Sequence, residues 1–171
     1  MANIGFVGLG IMGKPMAGHL IKGGHSLFLH SRSGVPADLV ALGGRAFSSP
    51  KVVAQHTDII ITMLPDTPDV EKVLFGENGV VEGLEPHSDP TKTIVDMSSI
   101  LPLESRMFAT QMNALGHDYV DAPVSGGDVG AQNATLTIMV GASATVFEKI
   151  KPVLELMGKT VTHVGENGAG Q

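Results

Sequence analysis

A glycine-rich segment near the amino terminus restricts the possible folds of this chain more than any other feature of its sequence. The segment GFVGLGIMGKPM follows an apolar run and holds three closely spaced glycines, Gly8, Gly10 and Gly13. The apolar run at 3–8 predicts a short buried strand, and the residues at 11–22 predict a helix that ends at a pair of glycines. A strand, a tight turn and a helix in this order predict the first half of a β-α-β unit.

Each of the three glycines serves a different physical need. Gly8 permits a tight turn after the strand, and Gly10 has no side chain that would keep a ligand away from the backbone. Gly13 lets the helix pack closely against the strand. Because the amides at the start of a helix favour anions, the segment predicts a site for the pyrophosphate of a dinucleotide, either a nicotinamide cofactor or FAD. An ordinary glycine-rich turn without a ligand is the alternative.

The same alternation of strands and helices continues along the chain. Strands are predicted at 26–30, at 58–63, within 92–99, within 117–127, at 135–140 and at 160–164, and helices at 36–42, 68–75, 102–116 and 144–157. This order predicts a single α/β domain of the Rossmann type, a doubly wound and mainly parallel sheet with helices on both faces. Asp96 and Asp121 end two of the strands, where hydrogen bonds to loop amides are their expected role.

The end of the second predicted strand bears on the choice of cofactor. A carboxylate at this point accepts a hydrogen bond from the ribose 2′-hydroxyl of NADH and repels the 2′-phosphate of NADPH. The sequence there is LHSRSG, in which Ser31 stands at the expected position and Arg32 follows, with no acidic residue. Since a guanidinium makes charge-assisted hydrogen bonds to phosphate, we expect NADPH to be preferred, with NADH still possible. A solvent-facing Arg32 is the alternative.

Composition and charge exclude several classes of function. The net charge is −6 and the basic residues form no dense cluster, so the chain lacks the electrostatic footprint of a nucleic-acid-binding protein. It has no cysteine, which excludes disulfides and thiolate metal sites, and its seven histidines lack the spacing of a metal site. No signal segment and no apolar run of membrane-spanning length is present, so we expect a cytoplasmic protein without a metal.

Several separated segments resemble one enzyme family. FVGLGIMGKPMAGHL, DMSS at 96–99, DAPVSGG at 121–127 and GENGAGQ at 165–171 resemble segments of the β-hydroxyacid dehydrogenases, the family of 3-hydroxyisobutyrate dehydrogenase. MLPDTPDVEKVLFGENG and TIVDMSSI are most similar to its tartronate semialdehyde reductase branch. The resemblance implies NADPH-dependent reduction of tartronate semialdehyde (2-hydroxy-3-oxopropionate) to glycerate. The alternatives are a 3-hydroxyisobutyrate or related β-hydroxyacid dehydrogenase, or a non-catalytic NADP-binding module.

The glycine turn, the end of the second strand and the family resemblance together predict the site residues. The residues expected to bind the cofactor are Gly8, Leu9, Gly10, Ile11, Met12, Gly13, Ser31, Arg32, Met63, Leu64, Pro65 and Ser99. By resemblance, Ser125, Gly126 and Gly127 match the element that binds the substrate carboxylate. A hydroxyl and consecutive glycine amides can form an anion-binding nest, although a plain turn after a strand is the alternative.

The resemblance also implies the substrate class and a division of the protein. The substrate is a small carboxylate-bearing aldehyde or hydroxyacid, and a lysine ammonium donates the proton. In the family that lysine lies beyond the position of Gln171, so we expect no catalytic residue and little activity in these residues alone. We expect 1–164 to form the dinucleotide-binding domain and 165–171 to begin an interdomain helix, cut before the all-helical second domain of the family. The full-length protein is expected to be a homo-oligomer, and the sequence departs from the family at Ala134, where glycine is usual.

Overall fold

The computed structural model describes all 171 residues, from Met1 to Gln171, as alternating strands and helices. The strands are β1 (Asn3–Val7), β2 (Ser26–His30), β3 (Arg45–Ala46), β4 (Ile59–Thr62), β5 (Thr93–Asp96), β6 (Asp118–Asp121), β7 (Val124–Ser125), β8 (Leu136–Gly141) and β9 (Gly158–Gly165). The helices are α1 (Gly13–Lys22), α2 (Ala37–Ala41), α3 (Pro50–His56), α4 (Thr67–Phe75), α5 (Pro102–Ala114), α6 (Gly127–Asn133) and α7 (Ala144–Leu154), with a 3₁₀ helix at Val80–Gly83.

The strands form one nine-stranded sheet. Their order is β3-β2-β1-β4-β5-β6-β8-β7, and β9 pairs with β8. The pairs from β3 to β6 are parallel, whereas β8 runs antiparallel to β6 and β7 and parallel to β9. The predicted Rossmann-type, mainly parallel sheet is therefore confirmed.

Helices cover both faces of the sheet, and each face has its own apolar core. On one face, Phe6 of β1 packs in a cluster of 25 buried residues that includes Met16 of α1 and Ile150 of α7. On the other face, Ile94 of β5 packs in a cluster of 12 buried residues that includes Phe108 of α5. Because β4 and β5 are buried along their whole length, their sequences, IIIT and TIVD, do not alternate apolar and polar residues.

Several short elements were not predicted from the sequence. β3 and β7 have two residues each. α3 begins after Ser49, whose hydroxyl accepts a hydrogen bond from the Val52 amide at 3.3 Å, and Pro50 occupies its first turn. This Ser-Pro pair is a helix-start signal that could have been recognised. α6 is short and contains two glycines, so its composition gives a weak helix prediction.

The residues after β8 include β9, which pairs with β8, and the last residues of the chain. Residues 165–171, expected to begin a helix, comprise the end of β9, a turn closed by the Ala169 amide and the Glu166 carbonyl oxygen at 3.0 Å, and two residues without regular structure. The division into a domain at 1–164 and a following segment stays a prediction. None of the helices combines the length and the apolar character that crossing a membrane requires.

Candidate cofactor-binding site

The carboxyl ends of β1, β2, β4 and β5 border a cleft of about 840 Å³. In the sheet, β1 lies between β2 and β4, so the chain winds outward from β1 in one direction and later returns to its other side. Open α/β sheets bind ligands at such a switch point. The volume lies within the range of roughly 300–1,000 Å³ that is common for cofactor and small-molecule sites.

Every residue predicted to bind the cofactor lines this cleft. The residues come from the turn after β1, the end of β2, the segment after β4 and the loop after β5. They are Gly8, Leu9, Gly10, Ile11, Met12, Gly13, Ser31, Arg32, Met63, Leu64, Pro65 and Ser99. The fold therefore brings four separate segments to one place, and binding by these residues stays a prediction.

Contacts within the chain explain two of the three glycines in the turn. Gly8 has a φ of +100°, and a Cβ atom there would collide with the carbonyl oxygen of Met63. A Cβ atom on Gly13 would collide with the carbonyl oxygen of Gly8 and would lie 3.2 Å from the Phe6 ring of β1, so the predicted close packing of α1 against the strand is confirmed. Gly10 has no atom within 4 Å of the Cβ position, which leaves its backbone open to a ligand.

The backbone amides of the turn are available to an anion. α1 begins at Gly13, later than predicted, because the preceding residues form the turn. No amide from Leu9 to Met12 donates a hydrogen bond within the chain. Unbonded amides next to the positive end of a helix dipole favour a phosphate group. The open backbone at Gly10 and these amides fit the pyrophosphate of a dinucleotide.

The end of β2 offers hydrogen-bond donors and no carboxylate. His30 ends the strand, and Ser31, Arg32 and Ser33 follow in the cleft wall. Arg32 is exposed and forms no ion pair within the chain. Nδ1 of His30 lies 3.0 Å from the carbonyl oxygen of Phe47, and since a carbonyl oxygen only accepts, Nδ1 carries the proton. This composition is compatible with a phosphate on the adenosine ribose.

A buried carboxylate connects the loops that follow β4 and β5. Asp96, the last residue of β5, is fully buried, and its Oδ1 accepts from the Thr62 hydroxyl at 2.9 Å and from the Ser98 amide at 3.1 Å. Oγ of Ser98 accepts in turn from the Leu64 amide at 2.8 Å. The expected loop-bonding role of Asp96 is confirmed, and both loops that it joins line the cleft.

The surroundings of Asp96 are poorly hydrated. Burial raises the pKa of Asp96 to about 6, although hydrogen bonds from Ser98 and Thr62 act in the opposite direction. Burial and the charge of Asp96 raise the pKa of the Tyr119 hydroxyl well above its ordinary value. Asp96 Oδ2, Tyr119 OH and Ser105 Oγ are all buried without a hydrogen-bond partner. Solvation by water therefore contributes little to the ionised form of this carboxyl group.

The predicted carboxylate-binding turn lies outside the 840 Å³ cleft. β8 pairs with the end of β6 and then extends past it, so that Thr137 pairs with Ser125 of β7. Gly126 and Gly127 follow with φ angles of +133° and +62° and lead into α6. The turn is exposed. The structure therefore places Ser125, Gly126 and Gly127 beyond the carboxyl end of β6 and not in the cleft wall.

Asp121 of β6 holds the residues that follow β9. Its Oδ1 accepts from the Gly168 amide at 2.8 Å and its Oδ2 from the Gly170 amide at 2.9 Å, which confirms the loop-bonding role expected of it. Nε2 of Gln171 donates to the Ser98 carbonyl oxygen at 3.0 Å. The last residues of the chain are thus bound to the same sheet edge as the loops of the cleft.

One wall of the cleft was missed by the sequence analysis. Asp69, Lys72 and Val73 of α4 line it. Their i, i+3, i+4 spacing places them on one face of the helix, which is the signal that could have identified them. Lys72 is exposed and has no ion-pair partner, so it adds a cation to the cleft wall besides Arg32.

The histidines serve packing and backbone bonding. No group of three or more histidine and acidic side chains is placed to hold a metal ion. Nε2 of His19 lies 2.9 Å from the Ala131 carbonyl oxygen and links α1 to α6. Nε2 of His163 lies 2.7 Å from the Ala142 carbonyl oxygen, and its ring stacks on Phe147. These two histidines therefore connect neighbouring elements of the fold.

Known proteins match this chain in sequence and in fold. Residues 3–165 match the family described as the NAD binding domain of 6-phosphogluconate dehydrogenase. A 2-hydroxy-3-oxopropionate reductase of Escherichia coli (strain K12) is 52% identical over 169 residues, which are 99% of this chain and 56% of that protein. Among solved structures, a 3-hydroxyisobutyrate dehydrogenase of Mycobacterium tuberculosis with L-serine superposes with a TM-score of 0.87 at 32% identity, covering 99% of this chain and 56% of the other.

A second solved structure, described as Psf3 in complex with NADP+ and 2-OPP, superposes with a TM-score of 0.89 at 26% identity. The superposition covers 98% of this chain and 58% of that one. This chain therefore spans little more than half the length of the proteins that it matches.

Proposed function

This chain belongs to the family of the NAD binding domain of 6-phosphogluconate dehydrogenase, and on that premise we propose that it is the cofactor-binding part of an NADPH-dependent reductase of tartronate semialdehyde, with glycerate as the product. The observation that carries the proposal is the convergence of the predicted cofactor residues on one cleft. The similarity to the E. coli 2-hydroxy-3-oxopropionate reductase supports the choice of substrate. A cytoplasmic location and a homo-oligomeric full-length protein stay predictions from the sequence.

The residues of the cleft have distinct roles in this proposal. The unbonded amides of Leu9–Met12 hold the pyrophosphate, and Arg32 with the hydroxyls on either side of it holds the 2′-phosphate. The segment Met63–Pro65 and the loop with Ser99 border the nicotinamide. When bound, the dihydronicotinamide supplies a hydride to the carbonyl carbon of the substrate.

The Ser-Gly-Gly turn has the substrate role in this proposal. The Ser125 hydroxyl and the amides of Gly126 and Gly127 bind the carboxylate, since all three residues are exposed. A fixed carboxylate orients the reacting carbonyl group. The family resemblance assigns proton donation to none of the lysines in these 171 residues. We therefore expect cofactor binding by this chain without appreciable reduction of the aldehyde.

Oxidation of a β-hydroxyacid is the second candidate function. The structural likeness to the 3-hydroxyisobutyrate dehydrogenase with L-serine favours it. The residues after β2 discriminate between the two candidates in part, because an oxidation that uses NAD+ needs no phosphate-binding arginine.

Titration of this chain with NADPH and with NADH tests the cofactor proposal. We expect NADPH to bind at least about tenfold more tightly, because a charge-assisted hydrogen bond contributes roughly 1.5–3 kcal/mol. Arg32→Ala should reduce the affinity for NADPH by at least about tenfold and leave that for NADH unchanged. Arg45→Ala is the matched control, since Arg45 is an exposed arginine on neighbouring β3 outside the cleft wall. Equal binding of the two cofactors would contradict the NADPH preference, and binding of neither would contradict the proposed function.

A further inference from the structure

We propose that Asp96 is a positioning residue that acts through Ser98 to hold the two loops at the nicotinamide end of the cleft in their binding arrangement. Asp96 is fully buried and does not line the cleft itself. The inference rests on the proposed function, because it requires a nicotinamide cofactor in this cleft. Asp96 would affect cofactor binding only indirectly, through residues of the cleft wall.

A series of hydrogen bonds leads from Asp96 to the cleft wall. A single oxygen, Oδ1, binds the hydroxyl of Thr62 at the end of β4 and the amide of Ser98 after β5. The hydroxyl oxygen of Ser98 then binds the amide of Leu64, which lies in the wall between Met63 and Pro65. Two loops that approach the cleft from neighbouring strands are thus held at a set separation. A carboxylate forms stronger bonds of this kind than a neutral acceptor.

The neighbouring strand offers a natural comparison for Asp96. Asp121 is the direct register partner of Asp96 on β6, and it is also buried and also accepts two hydrogen bonds, both of them from amides. Its partners are Gly168 and Gly170, neither of which lines the cleft. The two aspartates therefore share burial and differ in what they hold, because Asp96 bonds directly to the loops of the cleft and Asp121 reaches Ser98 only through Gly170 and the neighbouring Gln171.

The other carboxylate oxygen indicates which substitution Asp96 tolerates. Oδ2 of Asp96 has no hydrogen-bond partner, and neither does the hydroxyl of Tyr119 or of Ser105. An asparagine can keep the Oδ1 bonds and present an amide NH₂ in place of Oδ2. Asp96→Asn should therefore preserve the arrangement of the loops, whereas Asp96→Ala removes the acceptor and releases Ser98.

The test compares two ligands, NADPH and 2′,5′-ADP, which has the phosphorylated adenosine part and lacks nicotinamide. We expect Asp96→Ala and Ser98→Ala each to reduce the affinity for NADPH about tenfold, the loss of roughly one hydrogen-bonded contact, and to leave 2′,5′-ADP binding unchanged. The double variant should lose no more than either single variant, because both substitutions break the same series of bonds. Asp96→Asn should restore NADPH affinity to within about threefold of the wild type, and Asp121→Asn should change the ratio of the two affinities less than Asp96→Ala does, because Asp121 reaches Ser98 only through Gly170 and Gln171.

Other outcomes overturn the inference. If Ser98→Ala changes neither affinity, or reduces both equally, Asp96 has no positioning role at the nicotinamide end. Additive losses in the double variant would mean that Asp96 does not act through Ser98. If Asp96→Ala does not fold, Ser98→Ala and Asp96→Asn decide the matter alone. If the wild-type chain binds neither NADPH nor 2′,5′-ADP, the proposed function is wrong and the inference is wrong with it.

Discussion

The turns Gly8–Gly13 and Gly126–Gly127 each join a strand to a helix, but different forces determine their conformations. In the first turn, carbonyl oxygens of Met63 and Gly8 occupy the space that side chains on Gly8 and Gly13 would need. In the second turn, Gly127 has no atom within 4 Å of the Cβ position, and only its φ of +62° favours glycine. The first turn follows a buried parallel strand, whereas the second follows a two-residue strand and is exposed.

This difference shows that similar glycine patterns can form turns that contacts within the chain fix to different degrees. The first turn is held by its own chain, so it is preorganised and a ligand meets little entropic cost on binding there. The second turn is restricted by its positive φ angles and by Leu136, whose Cδ2 lies 3.3 Å from the Cβ position of Gly126, and it is open at Gly127. We therefore expect substitutions at Gly8 and Gly13 to affect both stability and cofactor binding, and substitutions at Gly127 to affect stability only slightly.

The largest effect is expected for Gly8→Ala. The new methyl group would meet the Met63 carbonyl oxygen in a backbone conformation that alanine disfavours, so the free energy of unfolding should fall by about 3 kcal/mol or more and NADPH binding should be lost. Gly24→Ala is the control, because Gly24 has a φ of +95° but no neighbour at the Cβ position. Its cost should be about 1–2 kcal/mol, measured by urea denaturation. Equal losses would show that contacts do not determine the first turn.

The buried carboxyl group of Asp96, which joins the loops after β4 and β5, predicts a pH dependence of stability. Since the folded-state pKa of Asp96 is raised from an ordinary value of 3.8 to about 6, folding takes up a proton between these values. The contribution of Asp96 to stability is complete below pH 3.8 and falls by about 3 kcal/mol as pH rises through 6. Urea denaturation of the wild type and of Asp96→Asn between pH 4.5 and 7.5 gives the free energy of unfolding of each protein as a function of pH. The difference between the two slopes measures the contribution of Asp96. Parallel curves for the two proteins would exclude a raised pKa.

One glycine in each turn has no neighbouring atom at its Cβ position, and substituting the two glycines tests the difference between the turns. Gly10 and Gly127 both lack neighbours at the Cβ position, but only Gly127 has a positive φ. Gly10→Ala should leave the free energy of unfolding unchanged and reduce NADPH affinity by about tenfold or more, because the methyl group would obstruct the pyrophosphate. Gly127→Ala should cost about 1 kcal/mol of stability and leave NADPH affinity unchanged. Isothermal titration measures the NADPH affinity of both variants, and urea denaturation measures their free energy of unfolding. A loss of affinity for Gly127→Ala and not for Gly10→Ala would contradict the assignment of the two sites.

The smallest effect is expected at the end of α6, after the second turn. Ala134 ends this helix in the left-handed region, with φ and ψ of 55° and 38°. Ala134→Gly should raise the free energy of unfolding by about 0.5 kcal/mol, because glycine adopts this conformation without steric cost. Ala114→Gly at the exposed end of right-handed α5 should instead lower it slightly. A decrease in the melting temperature of Ala134→Gly would contradict this account of the departure from the family pattern.

The sequence predicts long strands and helices better than short ones. β4 and α7 could be predicted because β4 is an unbroken β-branched run and α7 has helical apolar spacing over 11 residues. β3 and β7 could not, since a two-residue strand forms only where a neighbouring strand supplies its hydrogen bonds. The cofactor residues after β1, β2, β4 and β5 could be identified from local motifs and the family resemblance. The wall formed by α4 needed knowledge of how that helix packs.

The order of amino acids by itself determined the glycine turn, the buried strands and the lack of an acidic side chain after β2. These features depend on backbone conformation and on side chains that are neighbours in the chain. Only the tertiary structure decided that β8 extends past the end of β6 to pair with β7 and that Asp96 joins the loops after β4 and β5. The physical reason is that such hydrogen bonds form between residues far apart in the chain, which come within bonding distance only when the sheet is complete.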